Sequence, residues 1–193
     1  MPNELTHRKT NFRRHVFALT CGALLLALGV LLPQAFHLAL GQAAGRMFLP
    51  MHISVLLAGC FLGWKYGLLV GAVTPLLSFL ITGMPPVPLL FLMVAELGFY
   101  GLSSGVFNKL LRSRERGSIV RIVLAVLLAQ TCGRVAYAAV LLLLGTLLGL
   151  RGIPGPEAAL AAIIAGWPGI LIQLALVPAL VRVLHKLKVG ETA

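Results

Sequence analysis

Residues 119–150 form an apolar run long enough to cross a lipid bilayer, and an arginine interrupts it near its middle. A transmembrane helix needs about 20 apolar residues, and Arg134 lies near the midpoint of this run. A guanidinium at that depth costs roughly 2.5–3.5 kcal/mol on insertion scales, so it normally faces the interior of a helix bundle and has a partner. Glu96 is the only acidic residue inside any apolar segment. The sequence therefore predicts a membrane protein with a polar site in its core.

The composition favours lipid over water as the surroundings of this chain. Of its 193 residues, 59% are hydrophobic and 11% are charged, whereas soluble domains are about 45–50% apolar and about 25% charged. A net charge of +11 on a soluble protein would indicate nucleic-acid binding. Here the basic residues cluster at the ends of apolar segments, with no basic surface interleaved with aromatic residues. We therefore expect the lipid bilayer, and no nucleic acid, as a partner.

Charged, proline and glycine residues divide the chain into six apolar segments. The pattern predicts an all-α integral membrane protein, a bundle of six transmembrane helices over residues 16–32, 51–63, 67–82, 89–111, 119–150 and 158–184. Pro33 is expected to end the first helix, and residues 83–88 to form a turn. The second and third segments are short for a bilayer, so they are either a re-entrant pair or two short, tilted helices. A break at residues 64–66, centred on Lys65, favours two helices.

The basic residues are distributed asymmetrically about these six segments. An even number of spans puts both termini on one side of the membrane. Of the 16 Lys and Arg residues, Arg46 and Arg151 fall on the other side and Arg134 within a span, which leaves 13 on the side of the termini. The positive-inside rule then places both termini in the cytoplasm. We expect a basic cytoplasmic N-terminus over 1–13, a membrane domain over 14–186 and a cytoplasmic tail over 187–193.

Several polar residues lie within the predicted spans, at depths that suggest a common site. They are Glu96 on the fourth helix, Gln130, Arg134 and Tyr137 on the fifth, and Trp167 and Gln173 on the sixth. The spacing from residue 130 to 134 and 137 puts three of them on one helix face. We expect an outward-opening pocket for a small polar molecule, with an aromatic wall and a guanidinium for a carboxylate or phosphate. A purely structural Glu96–Arg134 ion pair is the alternative, and both roles are compatible.

His52 lies where the outer loop enters the second helix. It is either a ligand contact or a residue that forms a hydrogen bond at the end of the loop. Elsewhere the sequence gives no sign of catalysis or of a bound cofactor. Residues 101–105 match G-x-S-x-G but lie within an apolar helix, whereas a nucleophile elbow needs a strand-turn-helix bend. The chain has no P-loop and no metal-ligand cluster. We expect no catalytic residues, no metal and no cofactor.

Small residues recur at four-residue intervals, which lets membrane helices approach closely. For the glycines at 59, 63, 67, 71, 101 and 105, packing within the bundle is the expected role. Ala23 and Ala27 lie on the first helix, which is terminal and therefore expected to be peripheral. This pair is the best candidate for docking another membrane protein.

Four segments together resemble one protein family. They are Leu49–Pro75, Gly83-Met-Pro-Pro86, Ala95-Glu-Leu-Gly-Phe-Tyr-Gly101, and Gly166-Trp-Pro-Gly-Ile170 with the following Gln173. The chain is similar over roughly residues 14–186 to the substrate-binding S components of energy-coupling factor (ECF) vitamin transporters. The resemblance implies a high-affinity binding subunit that captures a vitamin or related micronutrient outside a prokaryotic plasma membrane.

The resemblance also implies partners. S components dock onto a transmembrane coupling subunit that carries two ATP-binding subunits, and release substrate inside. An Ala-xxx-Ala motif on their first helix makes that contact, and Ala23 and Ala27 match it. The substrate stays open: pantothenate or another carboxylate-bearing compound suits Arg134, and a larger ligand such as cobalamin is not excluded. The alternatives are a stand-alone membrane transporter, an intramembrane enzyme and an assembly factor.

Overall fold

The computed structural model describes residues 2–41, 47–111, 119–147, 149, 155 and 157–190, and the regular structure within these ranges is helical. The helices are α1 (Pro2–Leu40), α2 (Pro50–Leu62), α3 (Trp64–Thr82), α4 (Val87–Leu111), α5 (Ile119–Leu142) and α6 (Glu157–Gly190), with a π-helical turn at Leu143–Leu147. Five of the six are long and apolar enough to cross a membrane. The prediction of an all-α, six-helix protein is thus confirmed within the described residues.

The exception in length is α2, which occupies the centre of the bundle. Its 13 residues span only about 20 Å at 1.5 Å per residue, less than the roughly 30 Å hydrocarbon core of a bilayer. The helix contacts each of the other five helices, and ten of its residues are buried. Because protein rather than lipid surrounds α2, its short length exposes no unpaired backbone to hydrocarbon.

Pro33 does not end the first helix, contrary to the prediction: α1 continues to Leu40. A proline inside a helix removes one backbone hydrogen bond, and in membrane bundles neighbouring helices and side chains compensate for that loss. Pro33 is buried against the rest of the protein. The same tolerance applies at Pro75 in α3 and at Pro168 in α6, which also lie inside helices.

The predicted break at residues 64–66 is also wrong, because only Gly63 separates α2 from α3. Gly63 has a φ of 99°, a value that suits glycine and reverses the chain within one residue. Lys65 sits at the exposed start of α3, and its ammonium lies 5.5 Å from the centre of the Trp64 ring. The charged Lys65 is therefore accommodated at the exposed start of a helix and does not require a loop.

The remaining boundaries shift for local reasons. The helix predicted over 119–150 loses its α-helical form after Leu142 and passes into the π-helical turn, where Gly145 and Thr146 are weak helix formers. α6 extends past the predicted end at residue 184 to Gly190. Basic residues such as Lys186 suit this position, since cations stabilise the C-terminal end of a helix.

The helices alternate in direction, so the two ends of the bundle carry different residues. At one end, His15 Nδ1 lies 2.9 Å from the Tyr66 hydroxyl, and the Phe61 and His185 rings make an edge contact. We call this the basic end, because the Lys and Arg residues whose side chains the structure describes, other than Arg134, lie on the helix segments that meet there: Arg13, Arg14, Lys65, Lys109, Arg121, Arg182 and Lys186. The other end, which we call the opposite end, carries Leu49 and the start of α2.

Glycines hold α3 and α4 in direct backbone contact. A Cβ on Gly101 would lie 3.0 Å from Gly67 Cα and closer still to the Gly67 carbonyl. Gly71 and Gly105 face the backbone of the neighbouring helix in the same way. Internal packing is therefore confirmed for the glycines at 59, 67, 71, 101 and 105. It is wrong for Gly63, where a Cβ would meet nothing within 4 Å and the residue instead forms the turn between α2 and α3.

We expect Gly101→Ala to destabilise the protein by the upper end of the about 1–3 kcal/mol typical of overpacking, because backbone, unlike a side chain, cannot move aside. Gly98→Ala is the matched control on the same helix, since its Cβ would meet only the tip of Leu68 at 3.5 Å. Thermal unfolding of both variants in detergent measures the difference. Equal stability of the two variants would contradict the close approach of α3 and α4.

Candidate functional site

An ion pair joins α4 to α5 in the half of the bundle nearer the opposite end. Arg134 Nη1 lies 2.9 Å from Glu96 Oε1, and the two side chains are 12% and 5% exposed. Glu96 is therefore the partner that the sequence predicted for the buried arginine. A pair this deeply buried is costly to desolvate, and removing either partner would leave an uncompensated charge.

His52 adds a third polar side chain to this pair. It lies in the first turn of α2, where Pro50 at the helix start fixes the entering backbone. Its Nε2 is 3.8 Å from Glu96 Oε1, and its ring meets the Tyr100 ring edge-on with centroids 5.0 Å apart. We call Glu96, Arg134 and His52 the polar cluster.

The polar cluster leaves four buried nitrogen atoms without a hydrogen-bond partner among the described residues. They are both imidazole nitrogens of His52 and Nε and Nη2 of Arg134, whereas Oε1 of Glu96 faces Nη1 of Arg134. Leaving one such atom unsatisfied costs about 1–3 kcal/mol, so native proteins contain few of them. Their convergence on two neighbouring side chains gives the cluster free donors on the guanidinium and free nitrogens on the imidazole.

A second polar group lies beside the cluster and ties α5 and α6 to the segment before α2. Gln130 Nε2 donates to Gln173 Oε1 at 2.9 Å, and Gln173 Nε2 donates to the Leu49 carbonyl at 3.4 Å. Leu49 has a φ of 49°, which is unusual for a residue with a branched side chain. Tyr137, on the same face of α5, is buried.

Two glycines of α6 receive the segment that precedes α2. A Cβ on Gly166 would lie 2.8 Å from Leu49 Cδ1 and 3.2 Å from Arg134 Nη2. A Cβ on Gly169 would lie 2.6 Å from the Phe48 carbonyl oxygen. The absence of side chains at these two positions lets residues 47–49 lie directly against α6, over the guanidinium.

Comparison with known families shows to which family the chain belongs. A family model described as the substrate-specific component of ECF transporters matches residues 17–181. The chain belongs to this family. No curated protein and no solved structure matched it.

Membership in this family confirms the resemblance found in the sequence. An ECF substrate-specific component is the substrate-binding subunit of a membrane transporter and not an enzyme. The long apolar helices agree with a multi-pass membrane protein. The G-x-S-x-G match fits this assignment too, because Ser103 lies within α4 and donates its hydroxyl hydrogen to the Phe99 carbonyl one turn earlier.

The structure brings together six of the seven side chains that the sequence predicted for substrate binding, and leaves one apart. His52, Glu96 and Gln130 are buried near Arg134, Tyr137 and Gln173 at this side of the bundle. Trp167 is 59% exposed and points away. Residues 166 and 173 are seven apart and share a helix face, whereas residue 167 is rotated by about 100° from it. That Trp167 forms an aromatic wall of the site remains a prediction, because its side chain points away from the site in this structure.

The sequence gives no sign that Tyr100, Leu49 or Gly166 belongs to the site. All three are present in the segments that carry the family resemblance, but nothing in their spacing points to the guanidinium. The position of Leu49 over Arg134 depends on how α6 and α2 meet, which a single sequence does not encode locally.

The predicted docking pair lies on the outer surface of the S component. Ala23 and Ala27 are exposed, while the glycines at 22 and 29 turn the other face of α1 toward the bundle. Large apolar side chains flank the pair, with Leu24 63% exposed. The small residues thus form a shallow depression on an otherwise bulky apolar face.

A cavity of about 270 Å³ lies at the basic end, between residues 14–18 of α1 and the α2–α3 turn. It is lined by Arg14, His15, Phe17, Ala18, Phe61, Leu62 and Tyr66. This cavity is separate from the polar cluster, whose side chains are closely packed. Within the described residues, no group of three or more His, Cys, Asp or Glu side chains is arranged to hold a metal ion.

Proposed function

We propose that this chain captures a small, vitamin-like polar molecule at its polar cluster as the S component of an ECF-type importer. In this proposal the opposite end of the bundle faces the exterior of a prokaryotic cell, and both termini lie in the cytoplasm. The loaded protein docks onto a transmembrane coupling subunit carrying two ATP-binding subunits and releases its substrate inside.

The observation that carries this proposal is the set of four buried nitrogen atoms without hydrogen-bond partners on His52 and Arg134. A purely structural ion pair is expected to satisfy its own donors and acceptors, because unsatisfied buried groups are costly. A binding site instead reserves such groups for the ligand. The free donors and acceptors therefore favour substrate binding over a structural pair alone.

The distribution of charge supports the proposed orientation. The described basic residues outside the polar cluster lie on the basic end, and cytoplasmic loops of membrane proteins carry an excess of Lys and Arg. The polar cluster, in the other half of the bundle, then opens outward. Arg46 and Arg151, the two basic residues predicted for the outer side, lie outside the described residues.

Access to the cluster requires movement of the segment before α2. Leu49 lies next to Gly166 and Arg134 Nη2, in a left-handed backbone conformation that costs free energy for a residue other than glycine. The 3.4 Å bond from Gln173 to its carbonyl is long for an N–H···O bond. We propose that residues 47–49 swing away to admit the substrate and return to cover it.

Native mass spectrometry of the purified full-length protein tests this function. After incubation in detergent with a mixture of water-soluble vitamins and yeast extract, the protein should gain the mass of one small molecule per chain. Failure to retain any small molecule would contradict the proposal. Accumulation of the molecule by proteoliposomes that contain only this chain would instead favour a stand-alone transporter.

A further inference from the structure

The orientation of the Arg134 guanidinium determines which of its donors remain available. Nη1 faces Glu96 at 2.9 Å, while Nε and Nη2 are buried and have no hydrogen-bond partner within the described part of the chain. The Tyr100 hydroxyl forms a hydrogen bond with the guanidinium, and since Nε and Nη2 have no partner, this contact leaves both of them free. In arginine, the N–H bonds of Nε and Nη2 run parallel along one edge of the planar group. This edge is a two-pronged donor that matches the two oxygens of a carboxylate.

We propose that the substrate bears a carboxylate, held by two parallel hydrogen bonds from Nε and Nη2 of Arg134. Glu96 is then a positioning residue: it holds Nη1 and turns the free edge toward the substrate, without contacting the substrate itself. This inference rests on the proposed function and adds to it the chemical class of the substrate.

The charge of the polar cluster distinguishes a carboxylate from other groups. Glu96 already offsets the charge of Arg134, so each negative charge that the substrate adds remains largely uncompensated in a buried site. A carboxylate adds one such charge, whereas a phosphate monoester adds about 1.5–2 at pH 7. A substrate ammonium group would need a free carboxylate, and Glu96 is engaged by Arg134. A singly charged, planar oxyanion fits best.

Gly166 keeps the free edge of the guanidinium accessible. A Cβ at this position would lie 3.2 Å from Nη2, on the side covered by the Leu49 side chain. When Leu49 moves, a glycine leaves space for an oxygen beside Nη2, and a larger side chain would fill that space. The two free imidazole nitrogens of His52 are placed to bind a further polar group of the same substrate.

The test begins by identifying what the full-length protein retains. The wild-type protein in detergent is incubated with yeast extract and water-soluble vitamins, washed and denatured, and the released compounds are identified by mass spectrometry. We expect a compound with a carboxylate. A retained compound that lacks one would overturn this inference and leave the proposed function intact, whereas retention of nothing would contradict the proposed function.

The retained compound and its primary amide are then compared by calorimetry. We expect the amide to bind at least about 100-fold more weakly, since it loses the charge-assisted pair of hydrogen bonds. Arg134→Lys keeps the ion pair with Glu96 but not the two-pronged edge. It should weaken carboxylate binding by at least about tenfold and reduce the preference for carboxylate over amide. Equal affinities for carboxylate and amide in the wild type would overturn the inference.

Two further variants test the role of the neighbours. Glu96→Gln keeps an oxygen beside Nη1 and removes a negative charge next to the bound carboxylate. We expect affinity to fall by less than about tenfold and the preference for carboxylate over amide to persist or rise. Loss of binding in a folded Glu96→Gln protein would mean that Glu96 contacts the substrate. Gly166→Val should abolish binding, and Ala165→Val, at the exposed neighbouring position, should not; equal binding by both would contradict the placement of the carboxylate.

Discussion

Arg134→Ala lowers substrate affinity by about 30- to 5,000-fold, because truncating one partner of a buried, hydrogen-bonded charge pair typically costs about 2–5 kcal/mol of binding free energy. The substrate loses its main donor, and Glu96 is left as an uncompensated charge in the same site. Calorimetric titration of the full-length protein in detergent, with the compound that the wild type retains, measures the effect. Arg182→Ala is the matched control, since Arg182 is exposed at the basic end.

A double variant separates binding from folding. Combining Arg134→Ala with Glu96→Gln removes both buried charges, so the protein should fold as judged by gel filtration and thermal unfolding. Binding should still be lost. If the folded double variant bound its substrate as the wild type does, the ion pair would have only a structural role.

Ala23→Trp or Ala27→Trp reduces transport by more than about tenfold, because a bulky indole prevents the close helix approach that small residues permit. Both positions are exposed on α1, on the face turned away from the bundle. Substrate affinity in detergent should therefore stay within about twofold of the wild-type value. Uptake by cells that co-express the coupling and ATP-binding subunits measures the first effect, and calorimetry measures the second.

Leu38→Trp provides the control for the docking prediction. Leu38 is 89% exposed on the same helix and lies three turns beyond Ala27, so a tryptophan there changes an apolar surface without filling the depression between the alanines. Uptake by this variant should remain close to normal. Normal uptake by Ala23→Trp and Ala27→Trp would show that another surface docks the coupling subunit.

The helical architecture was largely predictable from the sequence, because the chain must bury its backbone polar groups within helices to cross a bilayer. The predicted helix ends were wrong where they followed rules derived from soluble proteins. Pro33 was expected to stop α1 and does not, since a bundle compensates for the lost hydrogen bond. Residues 64–66 were expected to form a break, yet Gly63 alone suffices to reverse the chain.

The pairing of Glu96 with Arg134 was predictable for a simple physical reason. Glu96 was the only acidic residue within the apolar segments and Arg134 the only basic residue far from their ends, and neither is tolerated alone in hydrocarbon. The orientation of the guanidinium was not predictable. It depends on the placement of Leu49, Gly166 and Tyr100 around it, which arises from contacts between helices distant in the sequence.

Trp167 shows that the depth of a residue along a helix does not by itself place its side chain in a site. Its distance from the end of α6 matched the polar cluster, but its direction on the helix did not, and its side chain is 59% exposed. Gln173, at a similar depth, faces inward and is buried. Depth along a helix and direction around it must both match before a residue is assigned to a site.

An experimental structure of the substrate-loaded protein tests the central claim most directly. The account predicts the substrate beside His52 and Arg134, with two of its oxygens within hydrogen-bonding distance of Nε and Nη2, and Leu49 displaced from its present position. A substrate bound elsewhere, with Leu49 still lying over an unchanged Glu96–Arg134 pair, would contradict it.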